Sequence, residues 1–558
     1  MNGTRNEEVT GFVRAEGKKL VNGNGDPLLL RGVGFGSWLL PEGYMWRFPE
    51  GGDRPRRIEA MIERLIGAEK ANDFWSAYYQ RYIAEDDIAR IGEEGFNSVR
   101  LPINARFLQT GGGEPATYRE DRLALLDRVI GWCRTYRLYV ILDLHGAPGG
   151  QTGTNIDDSE FDRPDLFSDA NHRREAVELW RMLARRYKDE WIVAGYDLLN
   201  EPLPEWFSSL NGEVMPLYKE MIGAIREADD RHMIVLEGVH WSTDWTIFED
   251  AFGDDPIDGN VLLQFHKYWN NPDTESISNY LACRDRWNVP IFMGEGGENN
   301  TDWYAGVFRL FDDHEISWNF WTWKKMDTTN SPCSIRKPDG WGLLVDYLQG
   351  GDKPSEETAE RILWQYLDNM KLENCDYMPA VACSLLRRAP VRIPAVFYGY
   401  KGEGASFGFG ERGTEGARVE NSESIGFRIG DRTCIRFVES DRTTAAFAHG
   451  GGEAWKQDEW LCLELSKGDW FVYEFTEDGR SPESEITATL ELLALGESGR
   501  LSVELNSREA AVIEAKGGDW REYGNISLGK LTPGGHELRI RCADGAVRVS
   551  RLLLDRKL

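Results

Sequence analysis

Hydrophobic positions follow two different patterns along the chain, and the change lies near residue 390. Over the first 370 residues, short runs rich in Val, Ile and Leu alternate with amphipathic helical stretches such as 175–189 and 357–370. This alternation is typical of βα units around a parallel sheet. The runs that predict strands lie at 28–35, 97–103, 138–145, 192–200, 232–238, 260–268, 289–295 and 316–323. Eight such strands predict an α/β fold, a TIM (β/α)8 barrel, preceded by a hairpin over 11–27.

The chain beyond residue 390 has the pattern of an all-β domain. Short segments that alternate apolar and polar residues are separated by Gly-rich turns, as at 461–475 and 484–495. This pattern predicts a jelly-roll-like sandwich of antiparallel sheets. We therefore expect a barrel domain at 1–375, a linker at 376–390 and a β-sandwich domain at 391–558.

The composition narrows the classes of partner. Lys and Arg total 65 against 93 Asp and Glu, which gives a formal net charge of −28. Such a field repels phosphate backbones and anionic lipid headgroups, so we expect neither nucleic acid nor a membrane as partner. The chain also contains 21 Trp, whose indole faces suit neutral ligands such as sugars.

Cysteine and histidine usage argues against a metal centre. The eight Cys are scattered without a CxxC pair, and the eight His form no HxH or HExxH motif. We interpret the cysteines as buried thiols rather than disulfides or zinc ligands. The N-terminal residues also lack a basic segment followed by an apolar one. We therefore expect a cytoplasmic protein, or a secreted one if the natural chain begins upstream of Met1.

Polar residues gather where the predicted barrel strands end, and these ends converge on one face of a barrel. The fourth strand runs into Asn200 and Glu201, and the seventh ends in Glu295. Glycoside cleavage needs two facing carboxyls, one to protonate the leaving oxygen and one to attack, or activate water at, the anomeric carbon. A GVGFGS run at 32–37 has Ser37 where the G-x-G-x-x-G motif of a dinucleotide site has its third glycine, and no helix follows it in the sequence pattern. We therefore discount dinucleotide binding.

Other strand ends supply residues that could serve the two glutamates. Arg100 near Glu295 would keep that carboxylate ionised, because an opposite charge lowers the pKa of a carboxyl. Tyr268 could orient the same carboxylate, Asn200 could bond a sugar hydroxyl, and Trp323 could form an apolar floor for the ring. Any one such residue is more often a packing or salt-bridge residue. The joint pattern is what favours a site.

Six segments around these strand ends occur together in one order. They are GFNSVRLPI at 95–103, LDLHGAPGGQ at 142–151, YDLLNEP at 196–202, FHKYW at 265–269, FMGEGG at 292–297 and FWTW at 320–323. Over roughly 28–370 the chain thereby resembles glycoside hydrolase family 5, a retaining β-glycosidase family on the eight-stranded barrel. The resemblance implies Glu201 as acid/base and Glu295 as nucleophile, with no metal and no organic cofactor. It implies substrate-binding or supporting roles for Arg100, His145, Asn200, His266, Tyr268 and Trp323.

The resemblance also bears on the substrate. The loop HGAPGGQTG at 145–153 is similar to that of the family's exo-β-1,3-glucanases. It favours an exo-acting enzyme on β-glucosides or β-glucan oligosaccharides. The segment at 37–57 carries Trp38, Tyr44 and Trp46, and it either closes one end of the cleft into a pocket or serves as a packing lid.

Three other functions stay open. The first is an endo-β-glucanase of the cellulase type that acts on polysaccharide. The second is a non-catalytic carbohydrate-binding protein on a hydrolase fold, which the retained pair of glutamates argues against. The third is a metal-dependent barrel hydrolase, for which the sequence lacks ligand spacing.

The C-terminal domain resembles carbohydrate-binding modules of the family 6 and 35 type, on segments 463–475 and 531–545. Those modules carry acidic calcium ligands near their first strand, where this chain has Val396 and Phe397, so a calcium site is doubtful. The candidate sugar platforms are Trp455, Trp460, Trp470 and Trp520. The alternative is a purely structural sandwich whose tryptophans pack in its core.

Overall fold

A computed structural model describes residues 6–110, 117–253, 256–410, 423–480 and 484–557. The chain forms two compact units. The first unit comprises Met1–Lys267, Ala282–Gly296 and Ser317–Tyr377, and the second comprises Tyr268–Leu281, Gly297–Ile316 and Met378–Leu558. The second unit therefore includes two stretches from the part of the sequence that predicts the barrel, in addition to the C-terminal region.

The first unit begins with a small antiparallel sheet rather than a single hairpin. Its strands are β1 Arg14–Glu16, β2 Lys19–Val21 and β3 Pro27–Leu28, with β2 in the middle. The turn between β2 and β3 is held by Asn22, whose side chain accepts hydrogen bonds from the backbone N–H groups of Asn24 and Asp26.

Eight parallel strands close into the predicted barrel, in chain order around the ring. They are β4 Arg31–Gly34, β5 Ser98–Asn104, β6 Tyr139–Gly146, β7 Val193–Asp197, β8 Met233–Glu237, β9 Val261–His266, β10 Ile291–Gly297 and β11 Ser317–Trp321. Each strand overlaps one of the predicted runs. The strands are buried along nearly their whole length, because a parallel barrel is covered outside and filled inside.

Helices follow the strands as the amphipathic pattern predicts, and α6 and α12 coincide with the two predicted examples. The helices are α1 Pro55–Ile66, α2 Ala68–Arg81, α3 Glu85–Glu94, α4 Ala105–Leu108, α5 Glu120–Tyr136, α6 Ala170–Tyr187, α7 Val214–Arg226, α8 Val239–Ser242, α9 Ser278–Trp287, α10 Thr301–Asp313, α11 Trp341–Leu348, α12 Glu356–Asn369 and α13 Pro379–Leu385. A sheet of β12 Lys324–Met326, β13 Cys333–Ile335 and β14 Asp376–Tyr377 completes the first unit.

The C-terminal region forms two antiparallel sheets, as predicted. Their strands are β15 Val391–Pro394, β16 Phe407–Gly408, β17 Ile435–Phe437, β18 Leu461–Ser466, β19 Trp470–Glu477, β20 Glu485–Ala494, β21 Ser498–Leu505, β22 Arg508–Lys516, β23 Arg521–Gly529, β24 Gly534–Asp544 and β25 Ala546–Lys557. One sheet runs β17-β18-β25-β20-β23 with β15 also on β25, and the other runs β16-β19-β24-β21-β22. Alternate residues of β20 are buried, the period-two pattern of a sheet with one covered face.

Two further features bear on the sequence-based expectations. All eight cysteines are free thiols, and six of them are buried. Among the residues that the structure describes, none of the helices combines the length and the apolar character needed to cross a bilayer.

Candidate active site

The ends of β7 and β10 bring Glu201 and Glu295 together. A carboxylate oxygen of each and a ring nitrogen of His266 lie within 4.8 Å of one another. His266 Nδ1 is 2.6 Å from Glu201 Oε1 and 3.7 Å from Glu295 Oε2. The backbone of Glu201 is left-handed, with φ of 43°. Its N–H donates to Glu237 Oε2 at 2.7 Å, which helps to hold this strained conformation.

Arg100 is the central cation of this site and is fully buried. Its guanidinium forms an ion pair with Glu295 and donates to Asn200 Oδ1 at 2.9 Å. It also contacts three carboxyls that the sequence analysis did not select, Asp197 at 2.8 Å, Glu237 at 3.0 Å and Asp143 at 3.2 Å. Burial opposes the charge of Arg100, but these carboxylates hold its pKa well above the usual value, so it is a permanent cation.

Burial changes the expected ionisation of Glu295. Arg100 and His266 both lower the pKa of this carboxyl, in the direction expected of Arg100. The loss of solvent outweighs them, and the pKa is raised above its ordinary value. Arg100 therefore acts on the pKa of Glu295 in the predicted direction, and the net rise comes from burial, which the sequence did not reveal.

The two histidines of the site differ in charge, because His266 favours the protonated form and His145 favours the neutral form. Burial opposes the charge of His266, but Glu237, Glu295 and Glu201 raise its pKa well above the usual value. Burial lowers the pKa of His145 to about 4, so this ring is neutral at pH 7. Its Nδ1 lies 2.8 Å from Asp143 Oδ2.

The same atoms bear on whether a metal would fit. Glu201, His266 and Glu295 are the described residues whose ligand atoms are spaced as a metal ion would need. A histidine must be deprotonated to bind a metal, whereas three carboxyls favour the imidazolium form of His266. The three carboxyls therefore favour a proton on His266, which a metal ion would have to displace in order to bind there.

The tryptophan next to the cluster is Trp321, and the choice of Trp323 as sugar platform is wrong. Trp323 is fully buried, and its Nε1 donates to Asp87 Oδ1 at 2.9 Å. Trp321 instead stacks on His145, with ring centroids 5.4 Å apart and planes 3° apart. The reason is that β11 ends at Trp321, after which the chain leaves the barrel to form β12.

The structure leaves the predicted role of Tyr268 open. Tyr268 belongs to the second compact unit. It is half-buried there, with its ring 5.6 Å from that of Trp269. Its predicted contact with Glu295 stays a prediction.

Four polar residues of the cluster were missed by the sequence analysis. Asp143, Asp197, Glu237 and Gln264 are all fully buried at or near strand ends. Gln264 Nε2 donates to Asp197 Oδ2 at 3.1 Å and to Glu237. Each stands in a run that is otherwise apolar, as in VILDL and VLLQF. A polar side chain in such a run is a signal that could have identified them, because buried charges need partners.

The segment at 37–57 contributes mainly packing, with one exception. Trp38 and Trp46 are buried, and their Nε1 atoms donate to Tyr79 O and Ser37 Oγ, both at 2.9 Å. Tyr44 differs, because its hydroxyl accepts a hydrogen bond from Trp321 Nε1 at 2.9 Å. The segment therefore reaches the cluster through Tyr44.

Two further tryptophans lie on loops after β7 and β8. Trp206 is 66% exposed, and its ring is 5.8 Å from that of Trp241. The two loops are joined by a hydrogen bond from the N–H of His240 to Leu203 O at 2.8 Å. The sequence analysis did not select this pair.

The tryptophans of the sandwich mostly have packing partners. Trp455 is buried, and its ring centroid lies 5.0 Å from that of Trp460. Arginine side chains lie over the rings of Trp460 and Trp470. Trp520 is half-buried. Val396 and Phe397 are fully buried apolar residues and offer no side-chain oxygen to a calcium ion.

Comparisons with known proteins agree with this barrel. Residues 62–327 match the family model Cellulase (glycosyl hydrolase family 5). The relatives include "Beta-xylosidase" of Phanerodontia chrysosporium, 30% identical over 43% of this chain and 49% of that protein. They also include "Endoglucanase C" of Acetivibrio thermocellus, 25% identical over 46% of this chain and 88% of that protein. "Probable glucan 1,3-beta-glucosidase A" of Neosartorya fischeri is 30% identical over 46% of this chain and 58% of that protein.

The fold, the site and these matches define a class of protein, a glycoside hydrolase on an eight-stranded barrel. Within that class, residues 62–327, just under half of the chain, match the model of glycosyl hydrolase family 5. The chain spans about half the length of the xylosidase and of the glucan 1,3-beta-glucosidase that it matches.

Proposed function

We propose that the protein is a retaining, exo-acting β-glycoside hydrolase on β-glucosides or β-glucan oligosaccharides. The observation that carries the proposal is the approach of Glu201 and Glu295, whose carboxylate oxygens come within 4.8 Å of each other. Retaining enzymes hold their carboxyls about 5–5.5 Å apart, whereas inverting enzymes leave about 6.5–9.5 Å for a water molecule. The spacing therefore supports double displacement.

In the proposed reaction, Glu295 is the nucleophile. Its carboxylate forms a bond to the anomeric carbon while the bond to the leaving oxygen breaks and Glu201 protonates that oxygen. Water then attacks the glycosyl-enzyme, Glu201 takes the proton from water, and Glu295 leaves. Arg100 and His266 supply positive charge beside Glu295. They favour its ionised form against the effect of burial.

His266 is a positioning residue for the acid in this scheme. Its Nδ1 is within hydrogen-bond distance of Glu201 Oε1 at 2.6 Å, and its charge is favoured by the carboxyls around it. A proton shared across this hydrogen bond is available to Glu201 when the leaving oxygen needs it.

Exo action is supported by the loops around the cluster. The 37–57 segment reaches Trp321 through Tyr44 and would bound the cleft on that side. The 145–153 loop is fixed by Gln151, whose Nε2 donates to His145 O at 2.7 Å and Asn200 O at 3.1 Å. We infer that Trp206 and Trp241 offer a ring face to the leaving group, because they follow β7 and β8 on the face of the barrel where the strands end. An endo-β-glucanase is the second candidate, because "Endoglucanase C" is among the relatives.

The test is turnover of a panel of aryl β-glycosides by the wild-type protein and by Glu295→Ala and Glu201→Ala. We expect Glu295→Ala to lower kcat at least about 10³-fold while sugar binding persists. Glu201→Ala should still release a rapid burst of a good leaving group, which needs no proton, but its steady-state turnover should be slow because no base takes the proton from the attacking water. Glu205→Ala, at an exposed position, is the matched control and should keep wild-type activity.

Two outcomes would contradict parts of the proposal. If the wild-type protein turns over no β-glycoside but binds sugars, it is a carbohydrate-binding protein. If it hydrolyses oligosaccharides but no aryl monosaccharide and lowers the viscosity of a β-glucan rapidly, it is an endo-glucanase. Activity that a chelator abolishes would indicate a metal-dependent hydrolase instead.

A further inference from the structure

A cavity in the first unit lies apart from the catalytic cluster. Its volume is about 380 Å³, which is in the range of small-molecule sites. Residues of α1, α2 and α5 line it, together with Asn104, the last residue of β5. None of its lining residues belongs to the cluster around Glu201 and Glu295.

One wall of the cavity is aromatic. Trp75 and Tyr79 of α2 stack with centroids 5.7 Å apart, and the ring of Phe107 lies 4.6 Å from that of Tyr79. Trp75 is only 8% exposed, and its buried Nε1 has no hydrogen-bond partner in the part of the chain that the structure describes. A buried donor without a partner is costly, and a ligand that accepts from it would remove that cost.

The remaining lining is charged but nearly balanced. Arg106 is neutralised by Glu59 at 2.8 Å and by Asp158 at 2.5 Å. Arg122 lies over the rings of Tyr79 and Phe107 at 4.9 and 5.0 Å, and its Nε is 3.4 Å from Asp121. Arg119 and Glu63 add one charge of each sign. Donors and acceptors are therefore mixed, without a strong excess of either charge.

The aromatic wall and the mixed polar lining of the cavity favour one class of ligand. A multiply charged anion would meet the carboxylates of Glu59 and Glu63, and an apolar ligand would leave the polar lining unpaired. A sugar has hydroxyls that both donate and accept, and C–H faces that pack on aromatic rings. We propose that this cavity is a second sugar-binding site, for a mono- or disaccharide of the class that the enzyme hydrolyses.

The proposal rests on the proposed function for the identity of the sugar. Asn104 lies four residues beyond Arg100 on β5, which is roughly 13 Å along the strand at about 3.3 Å per residue. The cavity is therefore on the same end of the barrel as the catalytic cluster. A site there would retain substrate or product near the catalytic residues.

The experiment is titration calorimetry on the full chain carrying Glu295→Gln, with cellobiose and laminaribiose as probes. Sulfate and acetate are titrated in parallel. Ala68→Trp fills the rim of the cavity from an exposed position at the start of α2, and Trp75→Phe removes the indole donor but keeps a ring. Ala170→Trp, at the exposed first residue of α6, is the matched control.

We expect two sugar sites per chain. Ala68→Trp should abolish one, Trp75→Phe should weaken that one roughly tenfold, and Ala170→Trp should change neither. A single site that survives Ala68→Trp, or a cavity that binds only the anions, would overturn the inference. Turnover of an aryl β-glycoside by Ala68→Trp in the wild-type background tests the proposed function separately. If turnover fails in the wild-type protein while Ala68→Trp still removes a sugar site, only the proposed function fails.

Discussion

At the end of β11, two tryptophans that are two residues apart have different surroundings. Trp321 stacks on His145, whereas Trp323 donates to the buried carboxylate of Asp87. We expect Trp321→Ala to lower kcat/KM for an aryl β-glucoside roughly 10²-fold, because His145, beside the proposed catalytic residues, loses the ring on which it stacks. Trp323→Phe should leave KM within about twofold and cost roughly 1–3 kcal/mol of stability, since Asp87 loses a donor.

Steady-state kinetics and urea unfolding of both variants check this pair. Equal kinetic losses in the two variants would restore Trp323 as a candidate for sugar contact. Unchanged kinetics in Trp321→Ala would remove both tryptophans from the site.

Asp143 makes the stability of the barrel depend on pH. Its carboxyl is fully buried, and burial raises its pKa to about 8, against about 3.9 in an unfolded chain. The folded state therefore binds this proton more tightly. The stability that the protonated form contributes is complete below about pH 4 and is lost as the pH rises through about 8.

We expect the melting temperature of the wild-type protein to fall more steeply between pH 6 and pH 9 than that of Asp143→Asn. The amide carries no charge that must be buried as the pH rises. Calorimetry across this range makes the measurement, with the exposed Asp339→Asn as control, which should follow the wild type. If the melting temperatures of the wild type and Asp143→Asn fall in parallel between pH 6 and pH 9, the raised pKa of Asp143 is refuted.

The sequence predicts the position of a site residue when that residue lies at the end of a predicted strand. Glu201, His266 and Glu295 follow from the order of the strands, because the ends of parallel barrel strands meet on one face. Arg100 lies deeper in the barrel, as the third residue of β5 Ser98–Asn104. The charge states of these residues could not be predicted. The pKa of Glu295 depends on its loss of solvent and on groups from several other strands, and no local pattern in the sequence contains those distances.

At the scale of elements, hydrophobic runs predicted all eight barrel strands, but they did not predict the residue at which the last strand, β11, ends and the chain leaves the barrel. The run 316–323 continues in the sequence beyond Trp321, the last residue of β11. Trp323 and Lys324 leave the barrel because both bind Asp87 of α3, at 2.9 and 2.7 Å. A contact over more than 200 positions decides the end of this strand, and periodicity reports only neighbours along the chain.

The segment at 37–57 is fastened to the loop after β6 through Asp158. Its carboxylate accepts from the N–H of Arg56 at 3.0 Å, Asn104 Nδ2 at 3.0 Å and Arg106 Nε at 2.5 Å, and it is only 4% exposed. We expect Asp158→Asn to cost about 1–3 kcal/mol, because the buried carboxylate that accepts these hydrogen bonds loses its charge, although Arg56 and Arg106 are themselves partly exposed. KM should rise as well, since this segment holds Tyr44 against Trp321.

Glu160→Gln is the matched control. Glu160 pairs with the same Arg56 at 3.0 Å, but its side chain is 60% exposed. An exposed pair contributes about 0–1 kcal/mol, so this variant should unfold in urea nearly as the wild type does. Similar losses in both variants would mean that burial of the Asp158 network does not hold the segment.

At the scale of the whole molecule, the composition of the second unit determines which truncated chains can fold. Its helix α10 stands between β10 and β11 in the sequence, yet it packs with the C-terminal region. Arg392 of β15 pairs with Asp302 of α10 at 2.6 Å, and Arg387 Nε donates to Ala305 O at 2.6 Å. At Gly306 a Cβ would lie 2.8 Å from the ring of Phe397.

A chain that ends at residue 377 would therefore not be an independent barrel domain. Trp303, Tyr304, Phe308 and Phe311 of α10 are fully buried, and truncation would remove the residues that pack against this helix within its unit. Exposed apolar surface of this kind promotes aggregation. We expect the 1–377 chain to aggregate, or to melt at least about 10 °C below the full chain.

A matched pair of point variants tests the same packing in the full chain. Gly306→Leu should destabilise the protein by about 1–3 kcal/mol, because the new side chain meets the Phe397 ring. Gly342→Leu, in α11 at a position where an added Cβ would meet nothing within 4 Å, should be neutral or stabilising. A soluble 1–377 chain with the melting temperature and activity of the full protein would contradict this view, since α10 would then need nothing from the C-terminal region.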